Sequence, residues 1–424
     1  MPEIAFFIEL KNNQTTIEGA NLSLGNPGIG GTQYLFLLTI KELNHAYGNN
    51  YSILLTNTHL EHVDSSLCKD YVETEEDAIR YCETHSIYTL VFNSNVADKV
   101  DRRIFNTSVG IILWAHNTLN AKRQRIASEF ESIKWIVCVS ESQYKNMSDT
   151  PCFGKCTFIN NIIPAHFYEN AKLTDYSEEK AVYVGSLMPQ KGVHNLLEIW
   201  QYVEKDLPHA QLYIFGGANV WNSNVVLEKN KVADKYYDRI IQKRLKKLNH
   251  PENIHFLGAK GWDHIDLYIS SFRVGIVNPS HYMRDETFCL SAIEMETHGL
   301  PVVSRQRDDG LKTTVINGKT GFLEENDKRI AERIIQIISN KDISQQLGRT
   351  GREYAKQFIA EKTIDKWHEL VERPYTKSPQ RKWAFCSKDA KMLRRDFILK
   401  LGYLIKSGKI VDLLKKKFKK GSLH

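Results

Sequence analysis

Two carboxylates seven residues apart, Glu286 and Glu294, bracket a segment, Thr287-Phe288-Cys289-Leu290-Ser291-Ala292-Ile293, that reads as a loop running into a helix. A helix start offers unpaired main-chain N–H groups and the positive end of a dipole, a combination suited to phosphate. One acid near that end and another further along could hold the two polar parts of a nucleotide-sugar while the amides take the diphosphate between them. Spaced acids also occur on any solvated amphipathic helix, so the pair needs support from elsewhere in the chain. Lys191 supplies some. It follows the apolar run Lys180–Gly185 and precedes a helical stretch, and from a loop there its ammonium can stand against a diphosphate, with Gly192 letting the main chain come close. A solvated loop lysine is the plain alternative. His116 closes the very apolar run Val109-Gly110-Ile111-Ile112-Leu113-Trp114-Ala115 and would lie at a strand's carboxyl end; a satisfied structural histidine is the competing account.

These residues need a scaffold that brings separate strand ends together. Short apolar runs alternate with longer helical stretches, which argues α/β architecture with parallel sheets. First-half strands are expected at Ile4–Glu9, Ser52–Thr56, Thr89–Asn93, Gly110–Ala115, Ile136–Ser140 and Thr157–Asn160, with a crossover helix over Thr32–Tyr47. The second half repeats the logic at Lys180–Gly185, Gln211–Gly216, Ile254–Gly258, Val274–Val277, Pro301–Ser304 and Gly321–Leu323, with a helix around Val232–Leu248. At 424 residues the chain is too long for one core and suits two domains meeting at a polar linker near 164–178. In such sheets ligands sit at the carboxyl ends of the strands, where every residue singled out above falls.

Hydrophobic content of 42% and aromatic content of 10% belong to a soluble globular chain, and no window reaches the roughly 20 apolar residues of a membrane span. The opening Met1–Glu9 reads as a first strand, not a signal peptide. Seven scattered cysteines form no zinc-ligand pattern and suit reduced thiols of a cytoplasmic protein. The net charge of +7 is uneven: Lys377–His424 holds fifteen Lys and Arg against Asp389, Asp396 and Asp412, while the remainder is slightly acidic. Residues 391–420 have apolar side chains at helical spacing with lysines opposite, the pattern of a basic amphipathic helix for an anionic membrane surface or for packing on the first domain. The tail has no recognised nucleic-acid module, so no nucleic-acid partner is expected.

The Glu-x7-Glu spacing, preceded by Asn278-Pro279-Ser280 and followed by Gly299-Leu300-Pro301-Val302-Val303 and Asn317-Gly318, resembles the donor-binding signature of family 4 glycosyltransferases, which have the GT-B fold. The segments Val184–Val193, Tyr213–Gly217 and Phe256–Gly258 resemble further strand ends of that family. Gly30-Gly31-Thr32-Gln33, Trp114-Ala115-His116, Val139–Ser142 and Ile159–Ile162 fall in its order. The resemblance spans about residues 1–370 and implies two Rossmann-like domains facing a central cleft: 1–168 for the acceptor, 169–365 for the nucleotide-sugar donor, and 366–424 as a crossing helix and basic tail. It further implies a retaining transfer from a UDP- or GDP-sugar to a hydroxyl of a glycan or lipid-linked acceptor, in surface polysaccharide biosynthesis on the inner membrane face.

By resemblance the catalytic residues are Glu286, His116 and Lys191. Glu286 contacts sugar hydroxyls, His116 touches the sugar near the reacting carbon, and Glu294 takes the ribose. The donor is bound by Gly30, Gly31, Gly185, Ser186, Lys191, Phe288, Cys289, Leu290 and Glu294. Two departures stand out: the family commonly has arginine at Ser186 and glycine at Cys289. Arg284 or Arg305 is a candidate to replace the missing cation. The acid expected at Thr313 is also missing. No Asp-x-Asp occurs, which agrees with metal-independent catalysis and with no cofactor beyond the nucleotide-sugar. A nucleotide-sugar epimerase of the same fold, or a non-catalytic sugar-nucleotide or membrane-binding protein, is the alternative.

Overall fold

The computed structural model describes residues 2–13, 17–217, 227–281, 286–306 and 309–372. The basic tail at 391–420 and Arg284 lie outside these residues.

Thirteen strands form two all-parallel sheets among the described residues. The first takes β1 (Ile4–Phe7), β2 (Ser52–Thr56), β3 (Lys69–Tyr71), β4 (Thr89–Asn93), β5 (Gly110–Ala115), β6 (Ile133–Cys138) and β7 (Cys156–Phe158) in the order β3-β2-β1-β4-β5-β6-β7. The second takes β8 (Lys180–Val184), β9 (Gln211–Phe215), β10 (Ile254–Gly258), β11 (Val274–Val277), β12 (Val302–Arg305) and β13 (Gly321–Glu324) in the order β10-β9-β8-β11-β12-β13. The order reverses between β1 and β4 in one sheet and between β8 and β11 in the other. Those are the points where crossovers leave to opposite sides and a crevice opens at the strand ends.

The central strands are apolar because both faces are covered: all six residues of β5 are buried, as are all four of β11. Seven helices matter to the site: α1 (Gly31–Tyr47), α2 (Glu141–Asn146), α3 (Val193–Asp206), α4 (Trp262–Ile269), α5 (Leu290–Thr297), α6 (Asp309–Thr314) and α7 (Asp365–Glu372). In α3 the buried Val193, Leu196, Leu197, Trp200 and Val203 repeat every three or four residues, the stripe that packs a crossover helix on its sheet.

Expected and observed elements differ mainly at their ends. The strand expected at Ile136–Ser140 starts three residues earlier and ends two residues earlier, at Cys138, because Ser140 leaves the ladder to cap α2, accepting from the Gln143 amide. The helix expected over Val232–Leu248 is shorter, Lys235–Leu245, since Asp234 caps it through the amides of Tyr236 and Tyr237. The edge strand β3 was not anticipated: Lys-Asp-Tyr carries no apolar run, and pairing with β2 alone makes it a strand.

After the second sheet the chain returns to the first. Ala360 N donates to Ile163 O at 3.0 Å and Ile163 N to Phe358 O at 2.9 Å. Within α7, Trp367 enters the first-domain core at 4.7 Å from Trp114 and 5.5 Å from Phe6, ring centre to ring centre. Tyr47 donates to Asp365 at 2.5 Å, and the Tyr51 hydroxyl lies 2.8 Å from His368 Nδ1. Helix α7 therefore braces the strand that ends just before His116. Truncating Trp367 to Ala is expected to cost about 3–5 kcal/mol of stability, read from urea unfolding at unchanged m-value. A loss below about 1 kcal/mol would show that α7 does not carry this core.

Candidate functional site

The site is built where the ends of β8 and β11 come together. From β8 the chain turns through Gly185 and Ser186 to a single helical turn, Pro189–Lys191, and reaches Gly192 at φ +82°. A Cβ at Gly192 would lie 2.4 Å from Ser280 Cα, so the two loops touch main chain to main chain. Only glycine permits both the left-handed conformation and this approach. From β11 the chain enters Asn278 at φ +44°, a conformation asparagine tolerates better than most residues. The turn aims the Asn278 amide at Glu286, to which Nδ2 donates at 2.7 Å. Lys191 Nζ donates to the same Glu286 oxygen at 2.5 Å. From below, Gly310 packs so closely on the Glu286–Thr287 main chain that a Cβ would fall 1.9 Å from Glu286 O.

The helix begins at Leu290, with Cys289 as its first flanking residue and no side-chain cap. Glu286 therefore belongs to the loop, and Glu294 lies about one turn into α5. Burial pushes the Glu294 carboxyl up to about 7, against hydrogen bonds from the Trp262 indole and the Asn26 main chain, and its Oε1 has no partner. Burial, then the Glu286 charge, pushes the Cys289 thiol up to about 12, so it is a packed residue and no nucleophile.

The first domain supplies the opposite wall. His116 lies tilted against Trp114 at 4.4 Å and near Phe36 at 6.1 Å; part of the residue is accessible, but Nε2 is fully covered and has no partner. Burial drops its pKa to about 3, which leaves a neutral imidazole at physiological pH. The glycine loop ahead of α1 is folded by Asn26, whose Oδ1 accepts from Gly28 N at 2.9 Å and Ile29 N at 3.0 Å. Besides the bond from the Asn26 main chain to Glu294, three more cross between the domains here: Trp262 N to Asn26 O at 3.1 Å, Thr287 Oγ1 to His116 O at 2.7 Å, and Ser142 Oγ to Thr313 Oγ1 at 3.2 Å.

These walls enclose a cavity of about 390 Å³. Gly31, His116, Gly185, Ser186, Lys191, Glu286, Phe288, Cys289, Leu290 and Glu294 all line it. Gly30 does not: it precedes α1 as its flanking residue, and Gly28 and Gly31 face the cavity around it. Ser186 Oγ is buried without a partner, and the Ser186 carbonyl accepts from Tyr183. Arg305 is corrected as a phosphate cation. It is buried and donates to Pro279 O at 3.1 Å, to Glu325 O at 2.6 Å and to Asp327. Asn26, Trp262, Asn278 and Thr287 also line the cavity, and no role was anticipated for them. Asn-Pro-Gly at 26–28 and Gly-Trp at 261–262 were the only sequence marks of Asn26 and Trp262, while Asn278 and Thr287 lie within the segments that carry the resemblance.

Among the described residues, the ligand atoms of Glu198, His281 and Asp327 lie close enough together to hold a metal. Each already has a partner: Arg244 at 2.7 Å from Glu198, and Arg305 and His281 on Asp327, with His281 Nε2 at 2.8 Å. The cluster sits behind the cavity, where it anchors the loop of Ser280 and His281.

Residues 167–354 match the family described as glycosyl transferases group 1, and the second domain is a domain of that class. An uncharacterized glycosyltransferase of Methanocaldococcus jannaschii is 29% identical over 231 residues, covering 54% of this chain and 56% of that protein. Trehalose synthase of Thermococcus litoralis is 23% identical over 189 residues, covering 43% and 41%. The match thus spans about half the length of these curated relatives. HepE of Anabaena, solved in complex with UDP and glucose, superposes with a TM-score of 0.65 at 13% identity, covering 88% of this chain and 100% of that one. Sucrose-phosphate synthase of Thermosynechococcus elongatus superposes at 0.65 and 18% identity, covering 88% and 98%. These likenesses establish the GT-B fold.

Two outcomes are expected. Gly192→Ala should lower stability by about 1–3 kcal/mol and weaken nucleotide binding together, because a methyl group must push the Ser280 loop away; an unchanged Tm and nucleotide affinity would refute the close approach. Glu294 has a folded pKa raised above its ordinary value, so its charging opposes folding as pH rises from about 4.5 to about 7 and stays constant beyond. Glu294→Gln should therefore be more stable than the parent by roughly 3 kcal/mol above pH 7, with the gap closing below pH 4.5. Parallel stability curves over that range would count against a desolvated carboxylate.

Proposed function

We propose that this chain is a retaining glycosyltransferase that moves a sugar from a nucleotide-sugar, UDP- first and GDP- second, to a hydroxyl of a glycan or lipid-linked acceptor. The observation that carries this reading is the Lys191–Glu286–Asn278 constellation at the mouth of α5, facing a neutral His116 across the cavity. In the structure Lys191 compensates Glu286. When a donor enters, the ammonium turns to the diphosphate, joined by the open end of α5, and Glu286 is released to accept from sugar hydroxyls. A neutral His116 can exchange a hydrogen bond with the sugar without adding charge beside the reacting carbon. Glu294, with one oxygen unpartnered, takes a ribose hydroxyl. The UDP complexes of HepE and the likeness of sequence relatives that act as sugar transferases support the donor class.

The acceptor oxygen bonds to the anomeric carbon as the bond from that carbon to the diphosphate oxygen breaks. The hydroxyl proton passes to the departing phosphate on the same face, so configuration is kept. Lys191 and the α5 amides offset the departing charge, and no metal or other cofactor is assigned a step. Closure of the cleft excludes water. No helix among the described residues is long and apolar enough to cross a membrane; attachment to an inner membrane face would fall to residues 391–420, in keeping with a role in surface polysaccharide assembly.

UDP-glucose, UDP-N-acetylglucosamine and GDP-mannose are to be compared by thermal shift and by release of free nucleotide. Lys191→Ala should cut turnover at least 100-fold with the fold intact, and Glu286→Gln should lower turnover more than nucleotide affinity. Full turnover by both variants would end this reading, and binding without turnover under all donors would favour a sugar-nucleotide-binding protein. In co-sedimentation with anionic vesicles the full chain should pellet and a 1–376 truncation should not. Equal pelleting would remove the membrane role of the tail.

A further inference from the structure

A second cavity, of about 480 Å³, opens at the carboxyl ends of β1, β2 and β4 in the first domain. It lies beside the donor cavity. Asn93, which lines it, pairs with Trp114 across β4 and β5, and Ser94 N donates to Trp114 O at 2.9 Å, two residues before His116. On the other side Gln33 follows Gly31 and Thr32, which line the donor cavity, and its amide donates to Glu9 O at 2.8 Å. The partition between the two spaces is thus one strand end and the first turn of α1.

Three half-buried amides define the chemistry of this second space. Asn57 Oδ1 accepts from Leu10 N at 3.2 Å and Lys11 N at 3.4 Å, which fixes the amide plane and leaves its NH2 group without a partner among the described residues. Asn93 is held the same way, Oδ1 accepting from Asn95 N at 2.9 Å. Asn95 Oδ1 is covered and has no partner. Donors and an acceptor therefore converge, which suits hydroxyl groups, since each hydroxyl both donates and accepts. A phosphate only accepts and favours a wall of net positive charge. This wall has none: Lys11 and Lys99 are matched by Glu9 and Glu75, with Lys99 2.5 Å from Glu9 and Lys11 3.9 Å from Glu73.

We infer that this cavity binds a neutral, hydroxyl-rich part of the acceptor, a glycan and not a phosphate headgroup. The inference rests on the transferase reading above and names the substrate class of its acceptor side. Asn57, Asn93 and Asn95 act as positioning residues: they hold the acceptor glycan and do not touch the donor.

The test is saturation-transfer NMR on the full chain saturated with UDP. The probes are the methyl glycosides of glucose, galactose, mannose and N-acetylglucosamine, with maltotriose and glycerol 3-phosphate alongside. At least one neutral glycan should receive saturation, and an equal concentration of glycerol 3-phosphate should not displace it. The Asn57→Ala, Asn93→Ala double variant should weaken that glycan at least ten-fold while UDP affinity stays within two-fold of the parent. Displacement by glycerol 3-phosphate, absence of signal from every neutral probe, or full glycan binding by the variant would each overturn the inference. Should the variant lose its fold, the displacement experiment on the parent protein still decides. Failure of UDP to bind in the first place would instead refute the transferase reading, so the two failures are told apart.

Discussion

The contact between the Gly192 and Ser280 main chains is the constraint on which the second-domain wall of the cavity depends. It joins the loops of β8 and β11, the two strands on either side of the point where strand order reverses. With no side chain between them, Lys191 from one loop and Asn278 from the other reach the same carboxylate oxygen of Glu286. Gly310 packs against the Glu286 main chain from the opposite side, so the acid is gripped from both directions. The buried Arg305, bridging Pro279, Glu325 and Asp327, and His281, held by Asn195 and Asp327, fasten the rest of the loop. A cradle made this way depends on what glycine omits as much as on what other residues supply.

Charge around the cavity is arranged unevenly. Glu286 is paired and hydrogen-bonded, whereas Glu294 is buried with one oxygen unanswered, and burial raises its pKa. His116 has lost its charge to burial between aromatic neighbours. A ligand bearing hydroxyls at both ends and negative charge in the middle matches that order: it gives Glu294 a partner, draws Lys191 away from Glu286 and asks nothing of a charged imidazole.

The two domains are held in mutual reach by small contacts at the rim and a large one behind. At the rim, Trp262 and Thr287 bond main-chain carbonyls of Asn26 and His116. Behind, Trp367 fills the first-domain core against Trp114, so α7 fixes the strand that presents His116. The geometry of the cavity thus draws on residues at both ends of the described chain.

Local pattern alone determined the alternation of strands and helices, because central strands of covered parallel sheets are continuous apolar runs: Gly110–Ala115 and Val274–Val277 were legible to the residue. It placed Lys191, Glu286, Glu294 and His116 at strand ends and a helix start, the family resemblance gave them their roles, and the structure places all four around one cavity. What tertiary structure decided was which partners these groups meet. Arg305 looked available for phosphate, but folding places it against three acceptors behind the loop. The edge strand Lys69–Tyr71 exists only through its neighbour, and the parts played by Asn278, Trp262 and Gly310 arise from contacts with residues eight, thirty-two and twenty-four positions away. Such contacts depend on how whole elements pack, and periodicity within one element carries no record of them.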